Sequence, residues 1–298
     1  MRRLLIALLC CGCGALSAQS PKKLKVHISV DMEGIAGVVS TDQLGPGSFE
    51  YERFRGFMTR EANAAVMGAL AAGATEIVVA DSHGNGENLL IETFPPEKVR
   101  LIRGFPRRLS MMAGIDETFD AAVFIGYHAS TTNKRGVRAH TFSSAQLTRV
   151  ALNGEEVTEG AWNAAIAGHF GVPVVFASGD DAAVEEIRAR IGAIESFVTK
   201  RALSFHSAES VMPAVASAQI EAGVKAALGR LRDFKAYRVN GPVTVEIGFK
   251  NYRPVELLSY LMQFERVNSH TIRYTARDMT EAADIESFIT SYQIGLEP

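Results

Sequence analysis

Lys25-Val26-His27-Ile28-Ser29-Val30-Asp31-Met32-Glu33-Gly34 is the stretch from which the rest of the chain can be read. Residues 25–30 form a short, mostly apolar strand that stops abruptly at Asp31. Glu33 follows at once, so the strand delivers two carboxylates to one edge. The same punctuation returns downstream. Residues 76–80 (EIVVA) end at Asp81, residues 121–125 (AAVFI) at Gly126-Tyr127-His128, and residues 172–177 (VPVVFA) at Ser178-Gly179-Asp180-Asp181. Helical patterns lie between these runs. Over residues 51–72 the apolar positions Phe54, Phe57, Met58, Ala62, Ala65, Val66, Ala69 and Leu70 recur at three- and four-residue spacing, with Gly73 as a natural stop. Further helices are expected over 158–169 and 182–191, and residues 147–152 with the Asn153-Gly154 turn read as a hairpin. Continuous apolar strands alternating with helices predict an α/β fold, a mostly parallel sheet with flanking helices.

Beyond residue 204 the texture changes. A long Ala-rich helix is expected over 207–231, then strands over 237–249 around an Asn240-Gly241 turn. A helix near Pro254, a strand over 271–276 and a helix after Thr280 complete a smaller α+β C-terminal region. The expected organisation is a catalytic domain over 24–204 and a second domain over 205–298.

The first twenty residues do not belong to this pattern. Arg2 and Arg3 precede an apolar run, residues 4–11, too short to span a bilayer, and small residues surround Ala15, Ser17 and Ala18. This is the order of a secretory signal peptide, residues 1–20, and it implies a secreted or periplasmic protein. All three cysteines, Cys10, Cys11 and Cys13, fall inside it, so the mature chain has no disulfide, thiolate ligand or cysteine nucleophile. Lipid anchoring through Cys13 is the lesser alternative, since Cys10 and Cys11 fit that pattern poorly. A net charge of -2 and a pI near 6.4 give no footprint for nucleic acid or an anionic membrane surface, and no membrane span is expected.

Ligands of open parallel sheets bind outside the carboxyl ends of the strands. Those ends offer Asp31 and Glu33, Asp81 and His83, His128, and Asp180 and Asp181. Carboxylates and imidazoles without thiolates suit Zn²⁺ or Mn²⁺. Taken singly, each aspartate is as well explained as a turn former or helix cap, and His128 as a satisfied core histidine. His27, within its strand, reads as structural, and His169, His206 and His270 have no evident partners.

Ser29 to Gly37 closely resembles the Ser-x-Asp-x-Glu-Gly signature of the D-aminopeptidase family associated with bacterial dipeptide transport. Asp81-Ser82-His83, Gly126-Tyr127-His128-Ala129, and Glu159 with residues 160–163 are similar to that family as well. So are residues 177–181, residues 246–252, and Ala276-Arg277-Asp278-Met279 with Glu281-Ala282, in the same order along nearly all of the mature chain. The resemblance implies two zinc ions per chain, with Asp31 bridging them and Glu33, His83, His128 and Glu159 completing the ligand set. It implies His140 as a further catalytic histidine, whether as acid/base, electrostatic partner or nucleophile. The loop between His128 and His140 is longer than the family pattern, which puts substrate fit there in question. Asn163, four residues after Glu159 and on the same helix face, is a candidate substrate contact. Asp81 is a candidate to orient His83, and Trp162 reads as packing.

The expected function is an exported zinc aminopeptidase that hydrolyses short peptides, such as D-Ala-D-Ala, with water activated between the ions. The preference for D-residues comes from the resemblance alone. So does the implied ring-like homo-oligomer, for which a decamer is the candidate size. A binuclear amidase or phosphoesterase is the nearest alternative, with Arg135 and Arg138 as its only candidate phosphate clamp. A non-catalytic peptide-binding protein on the same scaffold is the other.

Overall fold

The computed structural model describes residues 23–292. The expected signal peptide and all three cysteines lie outside the described residues. In chain order the elements are β1 (Leu24–Val30), α1 (Tyr51–Ala71), β2 (Ala74–Asp81), β3 (Val99–Ile102), β4 (Ala121–Tyr127), β5 (Leu147–Leu152) and β6 (Glu155–Glu156). There follow α2 (Glu159–His169), β7 (Val174–Asp180), α3 (Asp181–Ile191), β8 (Glu195–Ser204), β9 (Ser207–Ser210) and α4 (Pro213–Gly229). The chain closes with β10 (Val243–Phe249), α5 (Tyr252–Leu258), β11 (Glu265–Arg266), β12 (Thr271–Ala276) and α6 (Met279–Ser291).

A seven-stranded sheet in the order β3-β2-β1-β4-β7-β8-β9 forms the centre, parallel except for the β8–β9 pair. The mostly parallel α/β sheet read from the sequence is therefore present. β1 and β4 are buried along almost their whole length, as strands covered on both faces must be. From β1 the chain runs outward through β2 to β3, then returns to lay β4 on β1's other side. The strand order thus reverses between β1 and β4, and a crevice opens at their carboxyl ends. α1 packs on β1, β2 and β4, while α2 and α3 pack together over β4 and β7.

The second sheet is antiparallel, in the order β11-β12-β10-β5-β6. Glu246 on β10 ties it together, bonding Arg149 on β5 at 3.0 Å and Arg273 on β12 at 2.7 Å. Its strands come from both sides of residue 204, and α4, from beyond that residue, packs against α1 and the parallel sheet. A sequence boundary at 204 therefore does not coincide with a boundary between the sheets.

Three local expectations are corrected. The helix expected over 207–231 begins only at Pro213, because proline suits a first helical turn and not an interior; residues 207–210 pair with β8 instead. Of residues 237–249 only Val243–Phe249 is a strand: Pro242 follows Asn240-Gly241 directly and has no N–H for a ladder. β3 and β8 were not anticipated. β3 has only four residues, at the sheet edge, and β8 breaks its short apolar pairs with the polar run Thr199-Lys200-Arg201, in which Lys200 is buried.

Candidate metal centre

Asp31, His83 and His128 follow the ends of β1, β2 and β4 by one, two and one residues, and so meet at the mouth of the crevice. Glu159 is the first residue of α2, whose start is fixed by Thr158 accepting the Ala161 N–H at 2.9 Å. Its own carboxylate accepts the Phe142 N–H at 2.6 Å. Glu33 is held by its backbone. Gly34 N–H reaches the Gly126 carbonyl at 2.7 Å, and the buried Lys200 ammonium donates to the carbonyls of Glu33 and Ile35. All five residues are buried, none more than 7% exposed.

Each histidine here spends one ring nitrogen on a backbone carbonyl. His83 Nε2 donates to Leu44 O at 2.7 Å, His128 Nδ1 to Ala129 O at 3.1 Å, and His140 Nδ1 to Arg138 O at 2.8 Å. In neutral rings the other nitrogen is then a lone pair, and those lone pairs face carboxylates. His83 Nδ1 is 2.9 Å from Glu33 Oε2 and 3.3 Å from Asp31 Oδ1. His128 Nε2 is 3.3 Å from Asp31 Oδ2 and 3.2 Å from Glu159 Oε2. Acceptors do not approach acceptors at such distances unless a cation or a proton sits between them. Ligand atoms on a tetrahedral zinc, about 2.0–2.1 Å from the metal, stand roughly 3.3–3.4 Å apart.

These donors form two groups able to hold a metal ion: Asp31, Glu33 and His83, and His128, His140 and Glu159. Asp31 turns Oδ1 to the first group and Oδ2 to the second. Asp31 Oδ2 and His128 Nε2 are both buried without a hydrogen-bond partner, atoms that a bound ion would satisfy. An all-oxygen and imidazole donor set suits zinc, so the residues present fit that ion.

The electrostatics agree. Burial opposes the charged form of His83 and His128, yet the carboxylates beside them outweigh it and hold both well above the ordinary histidine range. Burial would likewise raise Glu33, but His83 holds it well below the usual carboxylate range. Asp31 is pushed up, first by burial and then by Glu33. A polar layer supports the floor. Ser29 Oγ lies 2.7 Å from both Ser82 Oγ and Tyr127 Oη, and Asn163 Nδ2 donates to Tyr127 Oη at 2.9 Å.

His140 is partly exposed and stacks on His128, ring centroids 4.0 Å apart, with Nε2 3.9 Å from Glu159 Oε1. Asn163 is fully buried, its amide nitrogen donating to Tyr127 and Met111 while its Oδ1 has no hydrogen-bond partner. Asp81 shapes the loop after His83 by accepting the N–H groups of Asn88 and Leu89. Asp180 caps α3 and accepts the Val137 N–H, and Asp181 accepts that of Ala202. These three aspartates stand outside both groups. His27 is a core residue, its Nε2 donating to Ala113 O at 3.0 Å and its pKa lowered by burial to about 4.

A cavity of about 880 Å³ opens over the two groups. Among the described residues that line it there is no lysine or arginine; Arg135 pairs with Glu185, and Arg138 lies over Phe205. Sequence reasoning missed one wall residue, Glu286. The signal was there: Met279, Ala282, Ala283 and Glu286 form the buried stripe of α6, so a carboxyl occupies an apolar seam. Burial raises its pKa to about 8. Lys200 and Glu61, buried partners of the backbone behind Glu33, were missed in the same way.

Comparison with known proteins places this arrangement. A D-aminopeptidase of Bacillus subtilis (strain 168) is 33% identical over 260 residues, 87% of this chain and 94% of the relative. A solved structure described as "Zn-dependent D-aminopeptidase DppA from Bacillus subtilis, a self-compartmentalizing protease" superposes with a TM-score of 0.86 at 31% identity. The match covers 92% of this chain and all of that one. The model of peptidase family M55, D-aminopeptidase, matches residues 24–287, and the chain belongs to that family.

Proposed function

We propose that this protein is an exported zinc-dependent aminopeptidase that holds two zinc ions and cleaves short peptides bearing an N-terminal D-residue, such as D-Ala-D-Ala. One observation carries the metal assignment: lone-pair faces of two histidines stand 2.9–3.3 Å from carboxylate oxygens, with Asp31 offering one oxygen to each group. Asp31, Glu33 and His83 would hold one ion, and His128 and Glu159 the other, with Asp31 offering its second oxygen there. Bound there, zinc supplies Lewis acidity, acidifying water and polarising a carbonyl. The chain's own residues do the rest. The backbone carbonyls of Leu44 and Ala129 fix the histidine tautomers, the Ser29–Tyr127 layer supports the strand ends that carry Asp31 and His128, and His140 Nε2, its lone pair free, takes a proton from the attacking water and passes it to the departing amine.

Among the described residues the cavity wall has no lysine or arginine, which supports a peptide and not a phosphoester substrate. The D-preference is supported by kinship, and export by the first twenty residues. Assembly into a ring-like homo-oligomer is supported by the self-compartmentalizing relative and by the exposed Tyr252, Tyr260 and Met262 around α5. Metal analysis of the purified mature protein, paired with a panel of D-Ala-D-Ala, L-dipeptides and phosphodiesters, tests the reading. Close to two zincs per chain and cleavage of the D-peptide are expected. No metal after zinc reconstitution, or turnover of the phosphodiesters alone, would remove it.

A further inference from the structure

Glu286 has no part in the centre described above, yet it lines the same cavity from α6. It is 1% exposed. Thr290 Oγ1 donates to its Oε1 at 2.9 Å, and its Oε2 is buried without any partner. The charge of Glu159 acts on it unfavourably. A buried carboxyl beside another, with one oxygen unmet, is costly, and such groups are kept where a cation comes to them. A structural role would be served as well by an amide or an apolar residue in this seam.

The rest of the wall narrows the chemistry. Five acids line the cavity, Asp31, Glu33, Glu87, Glu159 and Glu286, and no lysine or arginine among the described residues balances them. In the proposed centre three of these are metal ligands, and Glu87 is exposed. Glu286 is the buried carboxyl left over. We propose that Glu286 receives an ammonium group of the substrate peptide, and so makes the cavity selective for a free amine. This assignment rests on the peptidase reading. Burial favours the uncharged acid while no cation is present, and pairing with an ammonium favours the carboxylate. The ammonium comes from the peptide's own N-terminus or from a lysine-type side chain, and the same carboxylate chemistry serves both.

Kinetics of zinc-loaded Glu286→Gln test it, with D-Ala-D-Ala, D-Lys-D-Ala and D-lactoyl-D-Ala, in which a hydroxyl replaces the first compound's ammonium. A lost charge-assisted contact is expected to raise KM about tenfold or more, with kcat changed by less than about threefold and zinc content unaltered. The wild-type preference for D-Ala-D-Ala over D-lactoyl-D-Ala is expected to shrink by the same factor. A rise for both amine peptides identifies the N-terminus as the source, and a rise confined to D-Lys-D-Ala identifies the side chain. Unchanged KM for both overturns the assignment while leaving the peptidase reading intact. Wild-type protein that cleaves none of the peptides with zinc restored overturns that reading, and the assignment falls with it. Should Glu286→Gln fail to fold, Glu286→Asp keeps the charge but withdraws it by one methylene, and its KM must still rise severalfold; an unchanged KM there has the same adverse meaning.

Discussion

His140 is the residue whose role the geometry divides most finely. Its ring is parallel to His128 within 9°, its Nδ1 is committed to Arg138 O, and its free Nε2 faces Glu159 across 3.9 Å. That separation is longer than the 3.2–3.3 Å contacts that His128 makes, which sets His140 at the rim of its group. A rim histidine moves protons better than it anchors a metal. His140→Ala is expected to keep its zinc and to lose about 10²- to 10⁴-fold in kcat. Turnover assays with metal analysis check this, and loss of one zinc equivalent would make His140 a ligand instead. Legibility differed among these residues. Asp31, Glu33, His83 and His128 could be nominated from sequence because each follows an apolar strand directly. Glu159 could not be chosen over Asp180 or Asp181 in that way, since all three begin or precede helices; kinship chose it. Glu286 was legible only in part: the spacing of Met279, Ala282, Ala283 and Glu286 marks one face of α6, and the structure shows that this face turns inward.

At the level of elements, the site depends on how closely the ends of β1 and β4 approach. A Cβ on Gly34 would lie 2.0 Å from the Tyr127 carbonyl oxygen. At Gly126, with φ +73°, it would meet the Asp31 carbonyl at 2.3 Å. Backbone cannot yield as a flexible side chain does, so the two strand ends must part to admit a methyl group. Gly34→Ala is therefore expected to destabilise by about 2–3 kcal/mol or more. Because Glu33 and His128 flank the contact, it is also expected to weaken zinc retention against a chelator. Denaturant melts and chelator competition measure the two effects; a variant of wild-type stability would mean that the strand ends are not tightly held. The elements that carry this contact were also the legible ones. β1, β2, β4 and β7 are continuous apolar runs with sharp ends, which is what a strand buried on both faces must be. β3 and β8 lie toward the sheet edges, where one-sided burial leaves a polar pattern that reads as loop, and edge strand β9 falls inside the expected Ala-rich helix.

For the whole molecule, the chain interleaves what the sequence presents in series. β5 and β6 leave the parallel sheet's segment to join β10–β12, and α4 returns to cover that sheet beside α1. Long-range pairing of this kind leaves no local periodicity, so the second sheet's membership could not be read from residue order. The proposed metal centre would be a further long-range tie. Its donors would come from the ends of β1, β2 and β4 and the start of α2, segments up to 128 residues apart between Asp31 and Glu159. Three buried carboxylates in one crevice repel one another, and without metal it falls to protonated histidines and the buried Lys200 behind Glu33 to offset them. Zinc that binds the folded form alone, at a thousand times its dissociation constant, contributes about 4 kcal/mol. At roughly 2–4 °C per kcal/mol for a domain approaching this size, chelation is expected to lower the melting temperature by about 10 °C. Zinc should restore it. Magnesium should not, because it demands octahedral oxygen ligation and gives up its waters reluctantly, whereas this crevice offers imidazoles in close-set pairs. A melting temperature indifferent to chelation would mean that the histidine–carboxylate pairs are held by protons, and the centre would then be a salt-bridge network rather than a metal site.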